Sequence, residues 1–195
     1  MSDFSFYEEL EGTPTWYYAA RYRMYMDCDY HSLASAYAWE VAAFPVFTKK
    51  LLALCRPPKE RWSLRGQGLE FTLENRDADW DNGSERAAVN RYEDLSHGDV
   101  NEARLCHMAA WCQKRGISLV LVATPLWRSY RAAQNPAQTA DMHRRIAAVV
   151  ARFPQTVRFL DFSADPSFTA NDFFDSDHLN TLGAVKLSRK VKGNI

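Results

Sequence analysis

A carboxylate and an imidazole stand three residues apart in Phe173-Phe174-Asp175-Ser176-Asp177-His178-Leu179-Asn180, near the C-terminal end of the sequence. In a turn, this spacing lets Asp175 accept a hydrogen bond from one ring nitrogen of His178. The other nitrogen is then free to take a proton from a nucleophile. The two residues are of the types that serve as base and orienting carboxylate in a hydrolytic triad. Asp177 is expected to point to solvent, because only the three-residue offset suits a turn before a helix. Without any chemistry, the same stretch reads as a turn at Asp177, a cap at Asn180 and a surface histidine.

The pair needs elements to hold it. Thr181 to Ser188 reads as the start of a helix capped by Asn180, with Ala184, Leu187 and Val191 spaced to face a core. Upstream, Asp99 with Glu102 three residues later reads as a capping box opening a helix, whose apolar face is Leu105, Met108, Ala109 and Cys112 and whose end is Gly116. Ile117 to Ala123 is a continuous apolar run, the pattern of a strand buried on both faces of a parallel sheet. A helix from about Thr139 to Phe153 follows, with Met142, Ile146, Val149 and Val150 on one side and Arg144 and Arg145 on the other. Thr156 to Phe162 is a second strand. Strand, crossover helix and strand imply parallel pairing and an α/β/α sandwich.

Asp175 and His178, the Leu-Asn and Gly-Ala that follow them, and the run Leu119-Val120-Leu121-Val122-Ala123-Thr124-Pro125-Leu126 together resemble the C-terminal half of SGNH (GDSL-type) hydrolases, over roughly residues 98 to 192. The resemblance implies a three-layer α/β/α sandwich, here with an incomplete parallel sheet, and serine-based hydrolysis or transfer of acyl esters on a small molecule or carbohydrate. His178 would be the base and Asp175 its orienter, with no cofactor. The family's nucleophile sits in a Gly-Asp-Ser motif after the first strand, and no Gly-Asp-Ser occurs in this sequence. Its nearest string is Asn82-Gly83-Ser84-Glu85, with no convincing buried strand before it. The resemblance therefore places the chain as the last portion of a longer hydrolase whose missing part holds the nucleophile.

In open parallel sheets, ligands bind beyond the C-terminal ends of the strands. The loop after the first strand carries Arg128, Tyr130 and Arg131, and that after the second leads to Asp175 and His178, so both open on one edge. Arg128, Tyr130 and Arg131 are candidates for holding an anionic or polar substrate group. Equally, the arginines can be solvated and Tyr130 packed. Asp161 and Asp165 read as turn and cap residues.

The first half of the chain is different in kind. Residues 4 to 30 carry Phe4, Phe6, Tyr7, Trp16, Tyr17, Tyr18, Tyr22, Tyr25 and Tyr30. A helix is expected from Thr13-Pro14 and another from about Ser32 to Leu54, kinked near Pro45. Aromatics at helical spacing are core or an association surface more often than a stacking platform. Residues 57 to 96 are polar and turn-rich, with one expected strand at Leu69 to Leu73. Asp77, Asp79 and Asp81 with Gly83 imitate a calcium loop but lack its sixth-position glycine and twelfth-position glutamate, so no metal site is assigned. The organisation expected is a helical and irregular segment over 1–97 and an α/β part over 98–195, forming one domain overall.

The 195 residues suffice for one domain with a real core. Their 24 acidic and 24 basic residues give no net charge, which argues against a nucleic-acid footprint or an anionic membrane surface as partner. The apolar segment Ala34 to Leu54 is interrupted by Glu40, Pro45, Lys49 and Lys50, so no membrane span is expected. The acidic N-terminus lacks a signal-peptide pattern. The chain as written reads as cytoplasmic, whereas a parent with a further N-terminal part leaves a secreted or periplasmic location open. Cys28, Cys55, Cys106 and Cys112 form no Cys-x-x-Cys pair and read as reduced thiols. The alternative to a hydrolase is a non-catalytic binding or scaffold protein that keeps the sheet and associates through the N-terminal aromatic helices.

Overall fold

A computed structural model describes residues 6–7 and 68–195. The chain divides into two units, one made of Met1–Glu8 with Arg61–Ile195 and the other of Glu9–Glu60. All described residues belong to the first. The two N-terminal helices expected from the sequence, most of the aromatic cluster, Cys28 and Cys55 lie outside the described residues.

The first unit is mixed α/β. Among the described residues its strands are β1 (Leu119–Ala123) and β2 (Val157–Asp161), paired in parallel with Leu119 opposite Val157 and Ala123 opposite Asp161. The ladder is continued at its two ends by Leu119 N–H to the Thr156 carbonyl at 2.8 Å and by Phe162 N–H to the Ala123 carbonyl at 3.0 Å. Both strands are shorter than the apolar runs that announce them, and they are half-buried rather than covered on both faces. Ile117, two residues before β1, is 44% exposed.

The α-helices among the described residues are α1 (Gly83–Val89), α2 (His97–Gln113), α3 (Arg128–Ala133), α4 (Pro136–Arg152) and α5 (Thr181–Gly193). Helix α4, which precedes β2, begins three residues before the expected Thr139. Asn135 caps it by accepting the Ala137 N–H at 3.1 Å, and Pro136 takes the first position, where its missing N–H costs nothing. Helix α2 starts at His97 after Ser96, not at Asp99. The expected capping box does not form, because Asp99 and Glu102 instead bind Arg145 Nη1 at 2.5 and 3.1 Å. Gly116, beyond the end of α2, has φ +65°, the left-handed conformation that glycine adopts without a Cβ penalty.

The core lies where α2, α4 and the sheet meet. Leu105 and Ala109 of α2 join Leu121 of β1, Met142, Ile146 and Val149 of α4, and Phe153 and Val157, with Phe6 and Tyr7 closing the cluster. Met108 is half exposed, so the buried stripe of α2 is Leu105, Ala109 and Cys112 at four- and three-residue steps. Arg145, expected on the solvent side of α4, is buried; carboxylates from α2 and α4 supply the partners that a buried guanidinium requires. Cys106 and Cys112 are free thiols.

Leu69 to Leu73 is a run of turns and bends, not a strand. Its use is different: the Phe71 carbonyl accepts the Thr181 N–H at 2.8 Å, and the Phe71 ring meets Phe174 edge-on at 4.9 Å. This segment braces the loop between β2 and α5. No helix among the described residues is long and apolar enough to cross a membrane.

Candidate functional site

The loops beyond the C-terminal ends of β1 and β2 are stitched together by backbone hydrogen bonds. Leu126 N–H reaches the Ser163 carbonyl at 3.1 Å, and Trp127 N–H reaches the Ser176 carbonyl at 2.9 Å. The Asp175-to-His178 loop is closed on itself by Phe174 N–H to the His178 carbonyl at 2.9 Å and by an antiparallel bridge between Phe173 and Leu179. Asn180 fixes its exit. The Asn180 side-chain oxygen caps α5 by accepting from Leu182 N–H and Gly183 N–H, while its amide donates to the Asn171 carbonyl at 2.7 Å and the Phe173 carbonyl at 3.3 Å. A buried asparagine used at both ends is a tie between loop and helix, beyond the ordinary cap read from the sequence.

Within this frame Asp175 does two things. Its Oδ1 accepts the backbone N–H groups of Asp177 at 3.0 Å and His178 at 2.7 Å, which sets the turn. Both of its oxygens also lie 2.9 Å from His178 Nδ1. An ionised carboxylate only accepts, so the proton of that bond belongs to Nδ1, and in the neutral ring Nε2 carries the lone pair. Among the described residues no group hydrogen-bonds Nε2, and the His178 side chain is about half exposed. Burial alone would raise the Asp175 carboxyl, but the His178 bond and charge, with the turn amides, bring it down to about 2. The hydrogen bond that His178 Nδ1 donates to Asp175 holds the imidazole above its ordinary value, with burial opposing.

Asp177 departs from the expectation that it would point to solvent. Its side chain is 1% exposed and takes the Arg86 guanidinium in a two-point fork, Nε to Oδ1 at 2.8 Å and the terminal nitrogen to Oδ2 at 2.9 Å. The turn that aims Asp175 at the ring sends the side chain two residues on inward, toward α1. There it meets a guanidinium able to offset the cost of burying a carboxylate. Asp177 Oδ1 also stands 3.6 Å from His178 Nδ1. The Asn90 amide, one turn beyond Arg86 at the end of α1, donates to the Tyr130 hydroxyl at 3.0 Å and approaches Asp177 Oδ2 at 3.4 Å.

Tyr130 is thus a packed residue, 1% exposed, bound to the scaffold beneath the Asp-Ser-Asp-His loop. Arg128 and Arg131 are exposed at either end of one turn of α3, with the Arg128 guanidinium 5.2 Å from the Trp127 ring centre. Ser84 is exposed in the first turn of α1, and no hydrogen bond joins it to His178. Asp161 and Asp165 are turn residues that accept the N–H of Ser163 and Ser167 at 2.9 Å each; they also pair with His143 and Lys190.

Asp175, Asp177 and His178 bring atoms of ligand type within 4.8 Å of one another. Both oxygens of Asp177 are already held by a guanidinium, so a metal ion would have to displace one cation or sit beside it. That donor set belongs to an ion-pair network. In the sequence, the one signal of Arg86 and Asn90 is their four-residue spacing, which puts them on one face of a short helix. Comparison with known proteins adds no neighbour: no family model matches the chain, and no curated protein or solved structure matches it.

Proposed function

We propose that this chain carries the base and orienting carboxylate of an SGNH-like acyl ester hydrolase or acyltransferase, on an α/β/α sandwich extended around the β1–β2 pair. The observation that supports the reading is the Asp175–His178 pair itself, with Nδ1 held by the carboxylate and Nε2 turned to no described group. In this reading a serine hydroxyl attacks the ester carbonyl while Nε2 takes its proton. The same proton then goes to the leaving alcohol as the tetrahedral adduct collapses, and Asp175 stabilises the imidazolium between the two steps. In this reading Arg128 and Arg131, both exposed, would hold a polar or anionic part of the substrate, a small or carbohydrate ester. The serine and its oxyanion donors come from sequence beyond these 195 residues.

Fluorophosphonate labelling tests this together with p-nitrophenyl acetate hydrolysis. The 195-residue chain is expected to take no label and to give only the slow turnover of a free imidazole, because removing a nucleophile removes nearly all catalysis beyond binding. Joined to the coding sequence upstream of Met1, it is expected to take a label that His178→Ala removes. Label on Ser84 in the 195-residue chain, lost in His178→Ala along with saturable activity, would show that the nucleophile is internal. An extended chain that takes no label would favour the non-catalytic scaffold.

A further inference from the structure

His178 Nδ1 faces two carboxylates and not one. Asp175 stands 2.9 Å away and Asp177 3.6 Å away. Left to themselves, both would compete for one N–H, and two negative charges would hold the imidazole in its cationic form, which cannot act as a base. The Arg86 guanidinium separates the two roles, since its fork occupies both oxygens of Asp177 in a nearly dry position.

We propose that Arg86 is a positioning residue for His178: by engaging both oxygens of Asp177 it leaves Asp175 as the one carboxylate holding the ring, and so keeps the imidazole from being clamped between two. The assignment rests on the reading of His178 as a base. It concerns a residue 91 positions away from Asp177 in sequence and on another element. The charged groups that bear on the ring are Asp175 and Asp177 from its own loop, which favour the imidazolium, and Arg86 from α1, which opposes it. The neutral Asn90 amide and Tyr130 hydroxyl complete the floor. The fork geometry matters because a guanidinium holds two oxygens at once, where a lysine would offer a point charge.

The test is the imidazole titration of His178, followed by nitrogen-resolved NMR on the 195-residue chain, with a thermal melt to show that each variant is folded. Arg86→Gln is expected to move the midpoint up by about one pH unit, the low end of the effect of an uncompensated carboxylate beside a half-exposed ring. Asp177→Asn with Arg86 in place is expected to move it down. The Arg86→Gln/Asp177→Asn double variant, an amide pair of similar shape, is expected to return close to the parent. If Arg86→Gln does not fold, the downward shift in Asp177→Asn and the return in the double variant decide. A folded Arg86→Gln with an unmoved midpoint, or an Asp177→Asn that shifts upward or not at all, overturns the assignment. The titration needs no nucleophile, so its failure is separate from that of the hydrolase reading. Shifts as expected without any serine label in the extended chain would overturn the hydrolase and keep the charge assignment, whereas a label without the shifts would do the reverse.

Discussion

Asp175 couples two protonation equilibria to folding, and their signs define a pH window. His178 is held above its ordinary value in the folded chain, so its share of stability is complete below about pH 6.5 and fades as pH rises through the raised folded value. Asp175 is held down to about 2, so its share is complete above about pH 4 and fades as pH falls toward 2. The charge interaction is therefore at full strength only between about pH 4 and 6.5. Asp175→Asn keeps an oxygen for the turn amides but loses the charge. Its melting temperature is expected to fall furthest below the parent's inside that window and to approach it on either side. A deficit that is flat from about pH 3 to pH 9 would mean that the turn amides, and not the ring, are what Asp175 serves. The local part of this site was legible because Asp175 and His178 share one turn, where spacing dictates reach. The Arg86 to Asp177 pair was not, since nothing in a polar Asp-Ser-Asp run says which carboxylate turns inward, and the deciding guanidinium arrives from a different helix.

Helix α5 is bound closely to the turn that precedes it. Gly183, in its first turn, lies against the Asp172 backbone, and a Cβ there would stand 2.1 Å from the Asp172 carbonyl oxygen; a Cβ on Gly193 at the far end would meet nothing within 4 Å. Lys186 and Lys190 pin the same helix to Asp172 and Asp165, both at 2.8 Å. One substitution is thus expected to behave oppositely at two positions of one helix. Gly183→Ala should cost about 2 kcal/mol or more, because backbone must move to admit the methyl group, while Gly193→Ala should stay within about 0.5 kcal/mol of neutral. Urea midpoints at constant slope will report both, and equal effects would mean that the Asp172 contact yields freely. Such contacts are invisible in sequence, where Thr181-Leu182-Gly183-Ala184 shows only a helix after a cap. The strands fared better. Their apolar runs and the helical periodicity between them sufficed for parallel pairing, which does not depend on where a strand starts. Leu69 to Leu73 misled because alternation within five residues signals a strand only where the backbone stays extended, and this run turns and bends. Here the backbone of Phe71 is spent on Thr181 instead.

At the scale of the whole described unit, the residue that joins distant parts is Arg145. Its guanidinium reaches Asp141 on its own helix at 2.6 Å and Asp99 and Glu102 on α2, while Asp141 also accepts the Tyr7 hydroxyl at 2.8 Å and pairs with Arg144. One buried cation thereby ties the start of the chain to both large helices around the core. Helical periodicity put Arg145 with Arg144 on the outer face, because sequence pattern treats every arginine as solvated. The positions are adjacent on the helix, but only Arg145 turns toward α2. Burial would raise Asp141, yet its bonds from Arg145, Arg144 and Tyr7 bring it down to about 2. Replacing Arg145 by methionine fills most of the space but leaves Asp141 with reduced compensation, so a loss of about 3 kcal/mol is expected near neutral pH, at the low end for a broken buried pair because Arg144 and Tyr7 remain. Asp99, whose side chain is 76% exposed, can be rehydrated where it stands, and Asp99→Asn should change stability by no more than about 0.5 kcal/mol. The depressed Asp141 also fixes the pH dependence. Its contribution is present above about pH 4 and is lost as pH falls toward 2, so the gap between parent and Arg145→Met should narrow on acidification through that range. Urea unfolding at about pH 7 and at about pH 2.5 will show it. A gap that stays constant would assign the loss to packing alone, and an Asp99→Asn as costly as Arg145→Met would move the centre of the cluster from Asp141 to α2.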